Sequence, residues 1–593
     1  LLFKDLKKNE LLHTAVRLRG TSIIEFEFCG HVFKDSYCFL TSSLDNLCHS
    51  FKVSSDNAKL KKFQYDGKEL SSMEMCFYKP NLTFNQFMNL QNVEPTFWKL
   101  YEKYCLNDCL SLYEIWTKFE GEFDTILTNM GSWLKQFCSL KSNPTIAGLG
   151  MSIVKRLNKQ DKFGYRKQQE LFFKDDSNCA DIQCSDIHHT GSVGKKCLKC
   201  KYHFICEFKR GGISHCHQPG RHKHSVTSFD ITSQYPAAMV NIKIPTGRSR
   251  WTYVYEPTKH GYYHLKNMVF DLPGNIKSFK PVCASIKSKT ASLNWNTGDF
   301  IDDCYVDSEM IHYLKEHYAL KSFEVIEGLI SNSYVLGKQF FGDYINSLFK
   351  EKKRQDNFKG TPEYNSALRE GCKLFQNSVS GKLVEDGSRY FQLKFVMRND
   401  EKKSSINKCD FEKDYGKFKP NLWVGCGVMM YSYSKRLLFE YIRMLPNDSD
   451  NIIHVETDGI YFDSKYSDIF RENVKTYKGK YSVAEGNELG NIKLEHRSIG
   501  DSFWVGKKCY YMYCGKENKE IMRVLGIPQS TIDENGVKKQ LIFKQTYEDV
   551  INGTEQKIAF QNIKRELWAG CEMYGFEQTR TMRPRMRNYP VVY

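Results

Sequence analysis

Ser228-Phe-Asp-Ile-Thr-Ser-Gln-Tyr-Pro236 and Ile452-Ile-His-Val-Glu-Thr-Asp-Gly-Ile-Tyr-Phe-Asp463 decide how this chain reads. Both are strand-like, and both bring a carboxylate to a strand end. In the first, Asp230 closes an alternating run through Val226 and Ser228; in the second, two apolar strands flank Thr457-Asp458-Gly459, whose Asp-Gly step is a strong hairpin signal. If Asp230 and Asp458 meet on one sheet, they form a hard-oxygen site for paired divalent cations, the arrangement used for in-line phosphoryl displacement. Two unrelated strand ends are the competing reading, because Asp is common in turns.

A third segment tips that balance. Between the two strands lies Thr361-Pro-Glu-Tyr-Asn-Ser-Ala-Leu-Arg-Glu-Gly-Cys-Lys-Leu-Phe-Gln-Asn-Ser-Val-Ser-Gly-Lys382, with Thr361 as an N-cap and Pro362 at the first helical position. At 3.6 residues per turn, Leu368, Cys372, Phe375 and Val379 share one face, while Arg369, Lys373, Asn377 and Ser380 gather on another. Two cations and an amide aimed at a carboxylate site suit the triphosphate of an incoming nucleotide.

In order and spacing, these segments resemble the palm, fingers and palm motifs of family B DNA polymerases, in particular the protein-primed branch. Asp230 to Pro236 resembles DxxSLYP, Lys373 to Gly381 resembles KxxxNSxYG, and His454 to Gly459 resembles YxDTDS. Lys508-Cys-Tyr510, inside an aromatic run from Phe503 to Tyr513, is similar to the KxY motif that grips the primer strand, where a phosphate-binding Lys beside stacking aromatics suits a strand terminus. The resemblance implies a right-hand α/β (α+β) fold with palm, fingers and thumb, preceded by a partial RNase H-like 3′-5′ exonuclease domain.

Asp230 and Asp458 are then the expected ligands of two Mg2+ ions, with Mn2+ an alternative, and Glu456 an accessory acid. Tyr235, Lys373, Asn377, Arg369 and Ser233 are expected at the nucleotide. Lys508, Tyr510, Thr457, Gly211 and Gly212 are expected at the primer and template. Three positions depart from the family pattern. Glu456 stands for the first Asp of the hairpin motif, Gly459 for its final Ser, and Ser380 for the fingers Tyr. Gln234 for Leu is a milder change. Retention of Tyr235, the sugar-discriminating position, favours deoxyribonucleotides.

The 593 residues, 41% hydrophobic and 14% aromatic, suffice for several domains with substantial cores. A net charge of +17 favours a polyanionic partner, nucleic acid foremost. No apolar run is long enough to cross a bilayer, so no membrane partner is expected. The 21 cysteines, odd in number and irregularly spaced, read as free thiols in a reducing compartment, and a mitochondrial, nuclear or viral cytoplasmic setting suits them equally.

The chain opens at Leu1 with neither Met nor a signal-peptide pattern, which reads as a fragment or processed product. Residues 1–125 resemble the later part of the exonuclease domain. Tyr101 to Leu110, helical by the spacing of Leu106, Leu110 and Tyr113, carries Tyr104 and Asp108 in the place of its third motif, YxxxD. Phe33 to Leu40 resembles the strand after its second motif. With the other motifs unmatched, proofreading is not expected, and Tyr104 and Asp108 are a remnant or ordinary helix-surface residues.

A polar connecting region spans 126–210. Phe208-Lys-Arg-Gly-Gly212 resembles the template-binding YxGG motif, with a tight turn as the competing reading, and paired glycines admit close backbone approach to phosphate. Palm and fingers occupy 211–520, with insertions at about 237–341 and 387–420. The first insertion is rich in β-type residues and in the protein-primed branch contacts terminal protein and DNA; the second reads as a β-hairpin. Asp299, Asp302, Asp303 and Asp307 read as solvated turn and cap residues rather than metal ligands. The run Lys350 to Arg354 reads as a solvated helical face. Residues 521–593 form a thumb and tail, in which Arg580, Arg583, Arg585 and Arg587 touch duplex backbone or form a loose basic tail.

Cys197-Leu-Lys-Cys200 offers one edge of a tetrahedral structural Zn2+ site, with His203, Cys206, His215, Cys216, His217, His222 and His224 as further candidates; incidental linker residues are the alternative. GxxxxGK[ST], HExxH and GxSxG are absent from the sequence. The reading that accounts for most is a DNA-directed DNA polymerase acting as a monomer on template-primer DNA and dNTPs, with protein priming by a terminal protein implied by the resemblance alone. Its rivals are a catalytically degenerate relative serving as a nucleic-acid-binding module and a zinc-built adaptor.

Overall fold

The computed structural model of the chain describes residues 15–19, 22–28, 31–40, 42, 44–53, 63–65, 68–70, 95–158, 165–174, 198–271, 279–282, 300–385, 390–396, 410–414, 421–447, 451–532, 538–566 and 572–583. Strands β1 (Ala15–Arg19), β2 (Ser22–Phe28) and β3 (His31–Lys34) come first. Helix α1 (Leu44–Phe51), hairpin strands β4 (Phe63–Tyr65) and β5 (Lys68–Leu70) and the 36-residue helix α2 (Pro95–Met130) follow. The expected helix around Tyr101 to Leu110 is therefore present, but its expected apolar face is not the one it buries. Leu106, Leu110 and Tyr113 are exposed, while Ile115, Phe119, Phe123 and Ile126 enter the core, because the later turns of α2 are the ones that meet neighbouring helices.

Helices α3 (Ile146–Leu157), α4 (Tyr165–Phe173) and α5 (Leu198–Cys206) cross the stretch expected to be a polar connection. That expectation needs correcting: α3, capped by Thr145, buries Ile146, Leu149, Met151, Ile153 and Val154. Strands β6 (Ser214–Cys216), β7 (Gly220–His222) and β8 (Val226–Ile231) lead into α6 (Gln234–Asn241). β8 does not alternate as read from the sequence. Val226 to Phe229 and Ile231 are all buried, as suits the middle of a sheet covered on both faces.

The β-rich stretch after α6 comprises β9 (Lys243–Thr252), β10 (His260–Phe270), β11 (Phe300–Asp307), α7 (Ser308–His317) and β12 (Leu320–Leu336), its strands forming an antiparallel sheet in the order β11-β10-β12-β9. Asp302 and Asp303 lie within β11 rather than in turns, and Asp303 accepts from His264 at 3.0 Å, its diagonal cross-strand neighbour two residues from register. Asp307 is the N-cap of α7, accepting from the amides of Glu309 and Met310. Asp299 lies outside the described residues.

Helices α8 (Gly337–Asn357) and α9 (Ser366–Leu383) pack on each other and on α3. α9 starts later than Thr361 and Pro362 suggest. Its N-cap is Asn365, whose side chain accepts from the Leu368 amide at 3.0 Å while its own amide donates to Gln355 Oε1 at 2.8 Å, so the stronger capping residue is also the anchored one. Leu368, Cys372, Phe375 and Val379 are buried as expected, but Ser380 joins them instead of the polar face, its hydroxyl donating back to Asn377 O at 2.6 Å. Phe375 stacks on Phe123 of α2 with ring centroids 5.3 Å apart.

Strands β13 (Tyr390–Val396) and β14 (Asp410–Asp414) pair as a hairpin, and β13 also pairs with β1 in the register Val16 to Leu393, giving a sheet β14-β13-β1-β2-β3. The almost wholly buried helix α10 (Val424–Ile442) runs on to β15 (Ile452–Glu456), β16 (Gly459–Asp463), α11 (Ser467–Thr476) and β17 (Ile492–Arg497). Together with β6 and β8 these strands form the sheet β17-β8-β16-β15-β6. β18 (Ser502–Gly506), β19 (Cys509–Cys514) and β20 (Lys519–Arg523) join β7 in a second sheet, β20-β19-β18-β7.

The chain closes with hairpin strands β21 (Ser530–Ile532) and β22 (Lys538–Gln540), helix α12 (Lys544–Ile551) and the long hairpin β23 (Gln556–Glu566) and β24 (Glu572–Met582). Arg580 lies on β24 and Arg583 pairs with Glu555 at 3.2 Å; Arg585 and Arg587 lie outside the described residues. Among the described residues no helix is long and apolar enough to cross a membrane.

Phe375 joins α9 to α2 through a fully buried ring, so Phe375→Ala is expected to cost about 3–5 kcal/mol, read as a lowered midpoint in urea unfolding.

Candidate active site at the rim of the central sheet

β8 is hydrogen-bonded on both sides, and this sets the site. Asp230 is in register with Gly459 of β16 on one side and with Lys493 of β17 on the other. Just beyond, Ile231 donates its amide to Asp458 O at 2.9 Å, which brings the hairpin tip beside the end of β8. Asp230 and Asp458, predicted from 228 positions apart, thus share one rim. The hairpin between β15 and β16 has the two-residue loop Thr457-Asp458, and the residue with positive φ is Thr457 at +55°, not Gly459. A two-residue loop needs a left-handed residue to match strand twist. Here the Thr457 amide donates to Ile213 O and holds the turn from outside.

The carboxylates pay for this proximity in their ionisation. Burial, Asp458 and Glu495 push Asp230 up to about 7, against the pull of Lys493. Burial, Glu495 and Glu456 likewise push Asp458 up to about 6, offset in part by its own amide and by Lys493. Lys493 and Glu495 were missed by sequence reading because β17 carries no motif; only its pairing with β8 brings them to the site.

After β8 the chain turns through Ser233, left-handed at φ +49°, into α6, whose first turn holds Tyr235. Tyr235 is edge-on to Tyr431 of α10 at 5.5 Å, and its phenol, pushed above the ordinary range chiefly by burial, is also bonded to the Gly212 backbone. Gly211 and Gly212 differ in kind. A Cβ on Gly212 would stand 2.7 Å from Thr457 Cγ2 and 2.9 Å from the Tyr235 hydroxyl, whereas one on Gly211 meets nothing within 4 Å. Gly212, Tyr235 and the hairpin tip are therefore packed as one unit.

Glu456 does not join the Asp230 and Asp458 carboxylates as a third acid of equal standing. Its Oε1 lies 3.7 Å from Lys508 Nζ and its Oε2 lies 3.7 Å from His454 Nε2. Lys508 sits in the two-residue turn between β18 and β19 at φ +53°. Tyr510 requires a correction. Its ring is 2% exposed, stacked on Trp504 at 4.6 Å, with its hydroxyl bonded to that of Tyr461 at 3.0 Å, so it offers no face to a base. Both faces of β19 are covered, Tyr510 lying on the Trp504 side and Tyr511 on the other, so the ring is enclosed while the turn lysine stays outside.

On the helical side, Lys373 and Asn377 are exposed as expected. Arg369 is not free: it is bound to both Asp356 and Glu370. Lys352 of α8 is the unforeseen member of this group. Its amine is held below the ordinary range by burial and by Arg369, Lys493 and Lys373, against the opposing pull of Asp356, so cations from α8, α9 and β17 share one neighbourhood. Elsewhere in the run read as a solvated face, Lys353 pairs with Glu488 and Arg354 with the buried Glu351.

Tyr104 and Asp108 both lie on α2, and Asp108 is half-buried. Among the described residues no three His, Cys, Asp or Glu side chains stand in metal-holding geometry. The zinc candidates have other engagements: His215 stacks on Phe279, His217 meets the edge of the same ring, His222 bonds Gln218 O and Cys216 is packed among Trp504 and Tyr510. Cys197 lies outside the described residues.

A sheet presenting two acids at its rim, faced by helices that carry cations, is the arrangement of the right-hand polymerase fold. The structure aligns with Phi29 DNA polymerase complexed with primer-template DNA and incoming nucleotide substrates at a TM-score of 0.60, covering 98% of this chain and 88% of that one at 15% identity, a likeness of fold. The family model for DNA polymerase type B, organellar and viral, matches residues 4–419, and the chain belongs to that family. Relatives include proteins named "Probable DNA polymerase" from Ascobolus immersus, 24% identical over 538 residues, and from Neurospora intermedia, 22% identical over 575 residues. The matches cover 84% and 87% of this chain but only 38% and 50% of those proteins.

Gly212→Ala is expected to displace the hairpin tip and to abolish most of whatever activity the rim supports, whereas Gly211→Ala leaves the tip in place; circular dichroism checks that both fold. The raised carboxyls give a second expectation. A carboxyl protonated more readily in the folded chain than in the unfolded chain, where it titrates near 3.8, contributes stability that is complete below that pH and lost as pH rises through about 6 to 7. Without divalent ions, the protein should thus lose on the order of a few kcal/mol between pH 4 and 7, and Asp458→Asn should flatten that slope in urea titrations.

Proposed function

We propose that this chain is a DNA-directed DNA polymerase, adding deoxynucleotides to a 3′-hydroxyl by two-metal phosphoryl transfer. The observation that carries the reading is the rim pair, Asp230 at the end of β8 and Asp458 at the adjoining hairpin tip, brought together despite mutual repulsion and faced by the cations of α8, α9 and β17. Two crowded, partly buried carboxylates with raised proton affinity are a donor set that fits hard divalent ions, which commonly take one or two protein carboxylates and complete their shell with water and substrate phosphates. Asp230 and Asp458 would hold Mg2+, or Mn2+ in its place. Bound there, the ions would supply Lewis acidity at the attacking oxygen and neutralise charge on the triphosphate.

The remaining roles belong to the protein. Lys373 and Lys352 balance the phosphates, with Arg369 oriented by its two acidic partners and available only if they yield. Tyr235, walled in by Gly212 and Tyr431, forms a rigid floor for the sugar, and the exposed Asn377 and the turn residue Ser233 border the same pocket. Gly211 lets template backbone approach, Gly212 and Thr457 brace the tip, and Lys508 reaches the primer phosphate. Tyr510 serves as a buried support for that lysine. Positioning and electrostatics of this kind account for most phosphoryl-transfer catalysis. Template-primer DNA and dNTPs are the proposed partners, with a terminal protein supplying the first hydroxyl and the enzyme acting as a monomer.

Magnesium-dependent extension of a labelled primer tests the reading. The chain is expected to give a dNTP-dependent ladder, and Asp458→Asn to reduce its rate by at least about two orders of magnitude, since a lost metal ligand removes several kcal/mol of transition-state stabilisation. DNA binding without extension by the folded, unmutated chain would replace the proposal with a degenerate binding module.

A further inference from the structure

Glu456 occupies the place of a family acid, yet its surroundings point elsewhere. Its two oxygens are directed to two different partners: Oε1 to Lys508 Nζ in the turn of the second sheet, Oε2 to His454 Nε2 beneath it, each at 3.7 Å. His454 is fully buried, with neither ring nitrogen hydrogen-bonded, and is enclosed by Tyr461, Trp504 and Tyr510 with centroid separations of 5.5, 5.3 and 5.4 Å. That aromatic cluster spans both sheets, since Tyr461 lies on β16 and Trp504 and Tyr510 on β18 and β19. The extra methylene of Glu over Asp supplies the reach toward a lysine on the neighbouring sheet.

We propose that Glu456 is a positioning residue and not a metal ligand: it ties Lys508 to the catalytic hairpin, so that the group receiving the primer terminus and the rim carboxylates move as one body. The inference rests on the polymerase reading for what Lys508 holds, but the tie itself is a property of the two turns. Glu456 is the last residue of β15 and Lys508 the second residue of the β18–β19 loop, so the pair joins the two tips directly, above the aromatic cluster. Lys508, at φ +53° in a two-residue turn, has a backbone already committed, and the ion pair orients the long side chain that the backbone leaves free.

Two readouts separate this from ligation. The first is Tb3+ luminescence titration of the DNA-free protein. Glu456→Gln and Lys508→Met are expected to leave Tb3+ affinity within about twofold, while Asp458→Asn weakens it at least tenfold. The second is the preference for a duplex with a recessed 3′ end over a single strand of equal length, measured by fluorescence anisotropy. Each of Glu456→Gln and Lys508→Met is expected to reduce that preference three- to tenfold, and the double variant no further, because the two groups act as a unit.

A Tb3+ loss in Glu456→Gln matching that of Asp458→Asn would overturn the proposal, as would effects on end preference that simply add. If Glu456→Gln does not fold, Lys508→Met with Glu456→Asp decides: the shorter acid should reduce end preference only when Lys508 is present, and equal loss without Lys508 sinks the tie. Should the unmutated chain fail to extend primers, the polymerase reading fails while the Tb3+ and binding measurements still judge the tie.

Discussion

Two like charges held side by side at the edge of a sheet are the constraint around which the molecule is arranged. Asp230 and Asp458 repel, and burial sharpens the repulsion, so the rim persists only because the backbone leaves no alternative. β8 is fixed on both flanks by β16 and β17, and the hairpin tip is fixed by the Ile231 amide on one side and the Ile213 carbonyl on the other. The cost also appears as backbone conformation. Ser233, Thr457 and Lys508 are all non-glycine residues at positive φ, and they stand at three turns that frame the site. Conformations of this kind persist where surrounding structure over-determines them.

Charge on the other side of the site has the opposite sign and a similar logic. Lys352 is partly buried among Arg369, Lys373 and Lys493, a grouping as unfavourable for cations as the rim is for anions. Arg369 is relieved by Asp356 and Glu370, and Lys493 stands across from Asp230, so the two groupings partly compensate each other within one cleft. A ligand carrying both metal cations and phosphates would relieve the two at once, which is why the proposed substrate is chemically suited to the empty protein's electrostatics.

Local patterns in the sequence carried the rim pair, the buried face of α9 and the hairpin, since each depends on short-range spacing or turn chemistry. Other features escaped it for identifiable reasons. Lys493 and Glu495 belong to the site through strand pairing alone, which a single chain read linearly does not display. Tyr510 carried the right motif and the wrong direction, because both faces of β19 are covered and its ring lies against Trp504. Leu106, Leu110 and Tyr113 marked a helix correctly but not its buried face, which belongs to later turns of the same helix. Thr361 lost the capping position to Asn365, which Gln355 of the preceding helix holds in place. In each case a tertiary partner overrode a sound local preference.

The pairing of β1 with β13 has a consequence for how the polypeptide is made. Val16 finds its partner in Leu393, so β1 pairs with β13 only after the chain as far as Leu393 has left the ribosome. Contacts between residues this distant in sequence form slowly, because a long loop must close before they are rewarded. Until β13 emerges, the side of β1 that β13 takes carries backbone groups without their final partner, the kind of surface that recruits other strands. Keeping that side of β1 free of other strands until Leu393 arrives is therefore a step in how this fold assembles.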